Sequence, residues 1–213
     1  MSAAAVRVCR SESLLVGPNA ETTTSAPTSN WVLAVESACQ HLATLQASPH
    51  GGSQFITVNA SGQSLSYRYH QHVQAMLDRH QITDPSGLVI EATESAQLVA
   101  TGRIIRTFHS LKELGVQLAL DDFGTGYASI KLLQDLPLNI VKTDRSFLPH
   151  THNADNSPEF FQTMLHLIAL TGAQTCIEGV ETPEQHQWLS SLTDVTYLQG
   201  FLLGEPAPIQ TTS

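Results

Sequence analysis

Short apolar runs alternate along this chain with longer stretches in which apolar side chains recur at helical spacing. Short runs bounded by polar or glycine-containing segments are typical of buried β-strands. A 3.6-residue apolar period is typical of helices packed on one face. Alternation of the two predicts parallel βα units in an α/β fold. The predicted strands are 55–58, 88–90, 116–120, 138–141, 175–177 and 195–198, and the clearest predicted helices are 31–45, 127–136, 160–170 and 183–192.

The first thirty residues have a different pattern. Val6 and Val8 alternate with polar residues and predict one short strand that ends near Glu12. A glycine–proline break and a polar segment, ETTTSAPTSN, follow it. Asn30 is placed to cap the helix that starts at residue 31.

The number of predicted strands favours a closed barrel. Counting the N-terminal strand there are about seven, close to the eight of a (β/α)₈ barrel. The rhythm of strands and helices leaves a doubly wound open sheet as an alternative.

Composition narrows the classes of partner. The 213 residues carry 10 Lys and Arg against 19 Asp and Glu, a net charge of −9 with histidine neutral. Such a chain is a poor non-specific binder of nucleic acid or of anionic membranes. The three cysteines form no CxxC pair, which is typical of a reduced, cytoplasmic protein. No apolar run reaches the ~20 residues of a membrane span, and no secretory leader is recognised.

Polar residues able to bind metal follow every predicted strand. In a barrel the carboxyl ends of the strands converge on one mouth, where barrel enzymes place their chemistry. Carboxylate and amide oxygens are hard ligands suited to Mg²⁺ or Mn²⁺, and a paired-metal site activates water for displacement at phosphorus. A single acidic residue after a strand is more often a cap or a solvated loop residue, but seven strand ends in succession favour a site. These residues are Glu12, Asn59, Glu91, Asp121–Asp122, Lys142 with Asp144, Glu178 and Gln199.

Five segments carry a specific resemblance. The longest, LALDDFGTGYASIKLLQDLPLNIVKTDRSFL at 118–148, closely resembles the EAL domain of bacterial cyclic-di-GMP phosphodiesterases. The DFG within it is not a kinase motif, because no glycine-rich phosphate loop, VAIK or HRD accompanies it. The other four segments are FITVNASGQSL (55–65), LVIEATES (88–95), CIEGVETPEQ (176–185) and YLQGFLLGEPAP (197–208).

The resemblance implies a TIM-barrel-like (β/α)₈ fold that hydrolyses cyclic di-GMP to linear pGpG with two Mg²⁺ or Mn²⁺ ions. It implies that Lys142 holds the catalytic water, with Glu178 and Gln199 also at the catalytic centre. Glu94 resembles the family's anchor for the loop that follows DDFG, and Asp144 and Glu181 are expected to contact substrate. The implied metal ligands are Asn59, Glu91 and Asp121 for one ion, and Asp121, Asp122 and Glu178 for the other, with Glu12 completing the set.

The departures from the family pattern lie at the N-terminus. No YQPI-like first strand is found, so the barrel is expected to lack its first strand. The EALLR-like motif is represented by Glu12-Ser-Leu-Leu-Val16, in which Val16 replaces the arginine that grips a substrate phosphate. A strand edge left unpaired beside Glu12 or Gln199 would favour association.

These features define the expected organisation and the alternatives to enzymatic activity. The chain divides into a degenerate strand and loop (1–30), an EAL-type barrel (31–208) and a short tail (209–213). A homodimer or an upstream sensory or cyclase domain is the expected partner. A catalytically impaired receptor, a protein-interaction module and a fragment of a longer signalling protein remain alternatives to a phosphodiesterase.

Overall fold

A computed structural model describes residues 7–8, 12–13, 30–47, 55–62, 64–65, 68–93, 101–125, 130–149 and 157–204. Strands and helices alternate along nearly all of this part of the chain. The strands are β1 (Arg7–Val8), β2 (Glu12–Ser13), β3 (Ile56–Ala60), β4 (Leu88–Thr93), β5 (Gln117–Phe123), β6 (Ile140–Thr143), β7 (Gln174–Ile177) and β8 (Tyr197–Leu198). The helices are α1 (Asn30–Ala47), α2 (Tyr69–Arg79), α3 (Gly102–Glu113), α4 (Ile130–Asp135), α5 (Pro158–Ala169) and α6 (Pro183–Ser190).

All eight strands form one parallel sheet that is rolled up. Its order is β1-β8-β7-β6-β5-β4-β3-β2, which puts β8 five places from β3. In a flat sheet that separation would be roughly 24 Å at about 4.8 Å per strand. Phe55, beside β3, and Tyr197 of β8 nevertheless have ring centroids 6.1 Å apart. The sheet therefore curves into a TIM-barrel-like fold.

The N-terminal strands close this curve. Arg7 and Val8 pair with β8, whereas Glu12 and Ser13 pair with β3. Parallel neighbours need a crossover of a dozen or more residues, and only three residues separate β1 from β2. β1 and β2 are therefore two parts of one short stretch of chain, with Val8 and Glu12 at most about 14 Å apart. Since β1 and β2 share one place, the eight strands found among the described residues occupy seven places, in agreement with a barrel that lacks one strand.

The N-terminal region also corrects three expectations. The single strand predicted there is split into two paired segments, and β8 is paired through Val8 and Leu198 instead of having an open edge. α1 begins at Asn30 itself, so this residue is the first of the helix and not its cap. The polar segment before the helix, residues 20–29, lies outside the described residues.

Apolar side chains fill both sides of the sheet. The larger cluster lies between the strands and the surrounding helices, where Phe108 and Phe161 are fully buried. A smaller cluster inside the barrel takes one side chain from each of four successive strands, as expected for a packed barrel interior. Its buried members are Val89, Ala119, Ile140 and Cys176.

Three strands extend further toward the carboxyl end than their apolar runs. The apolar runs predict strand ends at residues 90, 120 and 141, whereas β4, β5 and β6 end at Thr93, Phe123 and Thr143. Six of the eight added residues are polar, and the other two, Ala92 and Phe123, are buried apolar residues. None of the helices in the described part of the chain has the length and hydropathy needed to cross a bilayer.

Candidate functional site

A buried lysine lies at the centre of the barrel mouth. Lys142, on β6, is only 6% exposed. Its Nζ atom lies 2.6 Å from Glu178 Oε1, 2.9 Å from Asp121 Oδ1 and 3.4 Å from Glu91 Oε2. These carboxylates come from three other segments of the chain, the end of β7, β5 and β4. One ammonium group thus neutralises part of an acidic cluster assembled from four strand ends.

A bulge in β5 brings two adjacent carboxylates to the same site. Leu120 pairs with Val141 and Phe123 with Thr143, so β5 uses one more residue than β6 between these pairs. In a regular strand Asp121 and Asp122 would point to opposite faces. A bulge re-aims one side chain, and here Asp122 adopts the left-handed conformation with φ of 57°.

The resulting cluster has the geometry of a cation site. Carboxylate oxygens of Asp121, Asp122 and Glu178 lie within 4.8 Å of one another, and all three residues are half-buried. Three hard, anionic oxygens at this spacing fit one Mg²⁺ or Mn²⁺ ion, which accepts a few carboxylates and keeps water at its other positions.

Burial and mutual charge shift the pKa values of this cluster. Burial raises the pKa of Glu91 to about 7, although the charge of Lys142 opposes the shift. Burial also raises the pKa of Glu178 and of Asp122, and the negative charge of Asp121 adds to both shifts. Burial alone would lower the pKa of Lys142, but Glu91, Asp121 and Glu178 raise it above its usual range. Burial therefore opposes ionisation of Glu91, Asp122 and Glu178, while Lys142 keeps its positive charge.

Two side-chain amides, whose uncharged oxygen atoms can bind a metal ion, border the cluster. Asn59 of β3 is directly opposite Glu91 in the β3–β4 register and is exposed. Gln199 follows β8, and its backbone N–H donates to Ile177 O at 2.9 Å. The Oε1 atom of Gln199 is buried and has no hydrogen-bond partner among the described residues. Both positions are at strand ends, as the sequence pattern predicts.

Asp144 and Glu181, which the resemblance assigns to substrate, have local partners. Asp144 caps a 3₁₀ turn, Arg145–Phe147, and its Oδ1 accepts a hydrogen bond from Ser146 N at 2.8 Å. Burial would raise the pKa of Asp144, but the hydrogen bonds from Ser146 lower it below its usual value. Glu181 is exposed and lies 3.6 Å from the Arg145 guanidinium.

Two predicted site residues have side chains outside the part of the chain that the structure describes. The backbone of Glu12 lies in β2, opposite Ile56, but its side chain is outside the described part of the structure. Glu94 lies outside the described residues altogether. Their predicted roles remain predictions.

Sequence reasoning missed the packing that surrounds the carboxylates. Gly124 and Gly179 have φ of 99° and 74°, and each lies directly beside the Arg145–Phe147 turn. The sequence does carry a signal for this packing, which is a glycine one or two residues after an acidic residue at a strand end. Such a glycine indicates left-handed backbone, which favours glycine over other residues.

Comparison with known proteins places this chain in a family. The EAL domain family matches residues 28–206. This chain belongs to the EAL domain family. The family match covers the strand ends from Asn59 to Gln199 and agrees with the resemblance seen in the sequence.

Curated relatives support the same membership. The cyclic di-GMP phosphodiesterase NbdA of Pseudomonas aeruginosa is 32% identical over 187 residues, which is 84% of this chain and 22% of NbdA. The cyclic di-GMP phosphodiesterase PdeF of Escherichia coli is 33% identical over 145 residues, 68% of this chain and 19% of PdeF. The chain thus spans about a fifth of the length of these two relatives.

Solved structures agree on the fold. The PaMucR phosphodiesterase in complex with c-di-GMP aligns with a TM-score of 0.75 and 31% identity, over 84% of this chain and 71% of that one. The EAL domain protein of Listeria monocytogenes aligns with a TM-score of 0.73 and 29% identity, over 84% of this chain and 69% of that one.

Proposed function

We propose that this EAL domain binds cyclic di-GMP and hydrolyses it to linear pGpG with two divalent cations. The observation that carries the proposal is the convergence of Asp121, Asp122 and Glu178 within 4.8 Å, with Lys142 in contact with two of them. Relatives named as cyclic di-GMP phosphodiesterases support the choice of substrate.

The residues of the chain divide the work of the reaction. Asp121, Asp122 and Glu178 hold one cation, and Glu91 and Asn59, which are paired across β3 and β4, contribute to the second. Bound divalent ions lower the pKa of water and stabilise the oxygens of an in-line displacement at phosphorus.

Lys142 is suited to positioning the attacking water. Its ammonium group can only donate hydrogen bonds, so it orients a water oxygen and favours the negative charge that develops there. Gln199 Oε1, buried and unpartnered among the described residues, is available to accept a hydrogen bond from the same water. The carboxylates repel phosphate unless cations are bound, which makes binding of substrate depend on metal.

The test is formation of pGpG, followed by chromatography after incubation of the full chain with cyclic di-GMP and Mg²⁺ or Mn²⁺. Asp122→Asn removes one charge of the cation site with little change of shape and is expected to reduce turnover at least 10-fold. Asp135→Asn is the matched control, because Asp135 forms a surface pair with Lys131 and should leave turnover unchanged. Equal loss in the two variants, or turnover that survives EDTA, would refute the metal-dependent mechanism.

A receptor without catalysis is the second candidate. The sequence observation that favours it is Val16, which stands where the family motif has an arginine. A lost charge-assisted bidentate contact lowers affinity by roughly 10- to 150-fold. Binding of cyclic di-GMP by calorimetry with no pGpG formed would support the receptor, and turnover raised by Val16→Arg would support the enzyme.

A further inference from the structure

We propose that the Arg145–Phe147 turn sets the spacing between the two loops that carry the cation-binding carboxylates, with Phe147 as a positioning residue. The inference rests on the proposed function, since it concerns the same site. The turn follows β6 directly and lies between the loop after Asp122 and the loop after Glu178. None of its three residues belongs to the predicted ligand set.

The turn is held by its own hydrogen bonds. Asp144 Oδ1 accepts from Ser146 N at 2.8 Å, Phe147 N donates to Asp144 O at 3.1 Å, and Leu148 N donates to Arg145 O at 3.0 Å. Both backbone and side-chain acceptors thus stabilise the turn itself, which begins two residues after β6, the strand that carries Lys142. Because the turn is held rigidly, it limits how far the loops packed against it can move relative to β6.

On one side the turn packs against the loop after β5. A Cβ atom built on Gly124 would lie 2.6 Å from Phe147 Cζ and 2.7 Å from Phe147 Cε2. The phenyl ring is therefore in direct contact with the Gly124 backbone, two residues after Asp122. Phe147 also packs against the main apolar core, which limits the movement of its ring.

On the other side the turn packs against the loop after β7. A Cβ atom built on Gly179 would lie 2.3 Å from Arg145 Cβ, so the Arg145 side chain meets the Gly179 backbone directly. Gly179 follows Glu178 immediately, and Glu178 N donates to Thr143 O at 3.2 Å. The Arg145 guanidinium adds a 3.6 Å contact with Glu181 on the same loop.

These contacts make the turn a spacer between two ligand-bearing backbones. Removing the Phe147 ring would leave a gap beside Gly124, into which the loop after β5 could move. Asp122, whose left-handed backbone already departs from a regular strand, would move with it. A cation that needs Asp122 and Glu178 at one spacing would then bind more weakly. Residues that orient metal ligands typically change metal affinity or activity by about 10- to 100-fold when they are removed.

The experiment measures Mn²⁺ affinity of the full chain by calorimetry, together with the urea midpoint of the metal-free protein. Phe147→Ala is expected to weaken Mn²⁺ binding at least 10-fold, and Phe147→Leu less. Phe108→Leu is the control, because Phe108 is fully buried on α3 and should lower the urea midpoint without changing Mn²⁺ affinity. In the phosphodiesterase assay Phe147→Leu should lower kcat more than it raises KM for cyclic di-GMP.

A double-mutant cycle with Gly124→Ala isolates the contact itself. The added methyl meets the ring in the Phe147 background but finds room in Phe147→Ala, while the strain at φ of 99° is common to both. Mn²⁺ affinity should therefore fall more from Gly124→Ala when Phe147 is present.

Three results would overturn the proposal in distinguishable ways. Wild-type affinity in Phe147→Ala, or a loss matched by Phe108→Leu, would remove the positioning role and leave the proposed function intact. Additive effects in the cycle would show that the ring does not act through Gly124. Absence of Mn²⁺ binding and of pGpG formation by the wild type would refute both proposals together.

Discussion

Replacing Lys142 by methionine removes an ammonium group that contacts three carboxylates of the barrel mouth. At an effective dielectric constant of about 20, contacts at the measured 2.6–3.4 Å each represent roughly 5–6 kcal/mol of gross attraction. Desolvation of the buried charges offsets most of this. Leaving the carboxylates without their partner is expected to cost about 3–5 kcal/mol of unfolding free energy.

The assay for Lys142→Met is urea unfolding in EDTA, followed by tryptophan fluorescence. The loss should shrink at pH 5, because burial raises the pKa of Glu91 to about 7 and this carboxyl group is protonated there. It should also shrink in Mn²⁺, which replaces the missing positive charge. Lys131→Met is the control, since its surface pair with Asp135 is worth at most about 0.5 kcal/mol. A loss no larger than in this control, or one that is the same with and without Mn²⁺, would refute the reasoning.

Three further predictions concern pH, metal and backbone packing. Because the pKa of Glu91 is raised from 4.5 to about 7, the folded state binds a proton that the unfolded state releases, and the free energy of unfolding falls as pH rises from about 4.5 to 7. Glu91→Gln should flatten this part of the plot of unfolding free energy against pH. An unchanged plot would contradict the shift. Millimolar Mg²⁺ or Mn²⁺ should raise the Tm of the wild type, and Asp122→Asn should reduce that rise; equal rises would exclude Asp122 as a ligand. Gly200→Ala would put a Cβ atom 2.2 Å from Val180 O and is expected to lower the free energy of unfolding in urea by at least about 3 kcal/mol. Gly204→Ala is the control, because a Cβ atom there has nothing within 4 Å, and it should cost less than about 1 kcal/mol. Similar losses in the two variants would show that the backbone at Gly200 can adjust.

The sequence predicted where most strands lie but not where they end. Apolar runs locate buried strands because both faces of a barrel strand are covered. At the mouth, however, inward positions are polar, so hydropathy assigns Lys142 and Thr143 to a loop although β6 continues through them. The same error shortens β4 before Glu91 and β5 before Asp121. Hydropathy therefore fails at the part of each strand that builds the site.

The sequence could predict which residues belong to the candidate site, but not how their side chains are arranged. Strand-end position groups Glu91, Asp121, Lys142 and Glu178, because parallel strands in a barrel present their carboxyl ends together. Nothing local shows that Asp122 takes φ of 57°, or that one ammonium group contacts three carboxylates. Those features depend on register and distance between strands, which a single sequence does not encode locally.

The extra residue in β5 lowers the stability of the sheet but brings a second carboxylate to the candidate cation site. Deleting it would restore a regular ladder between β5 and β6 and remove a left-handed aspartate, a conformation that costs about 1–2 kcal/mol. The same deletion would leave the mouth with one carboxylate from β5 in place of two. Directed evolution for heat resistance alone would therefore favour loss of this residue, whereas a screen that also requires cation binding would retain it.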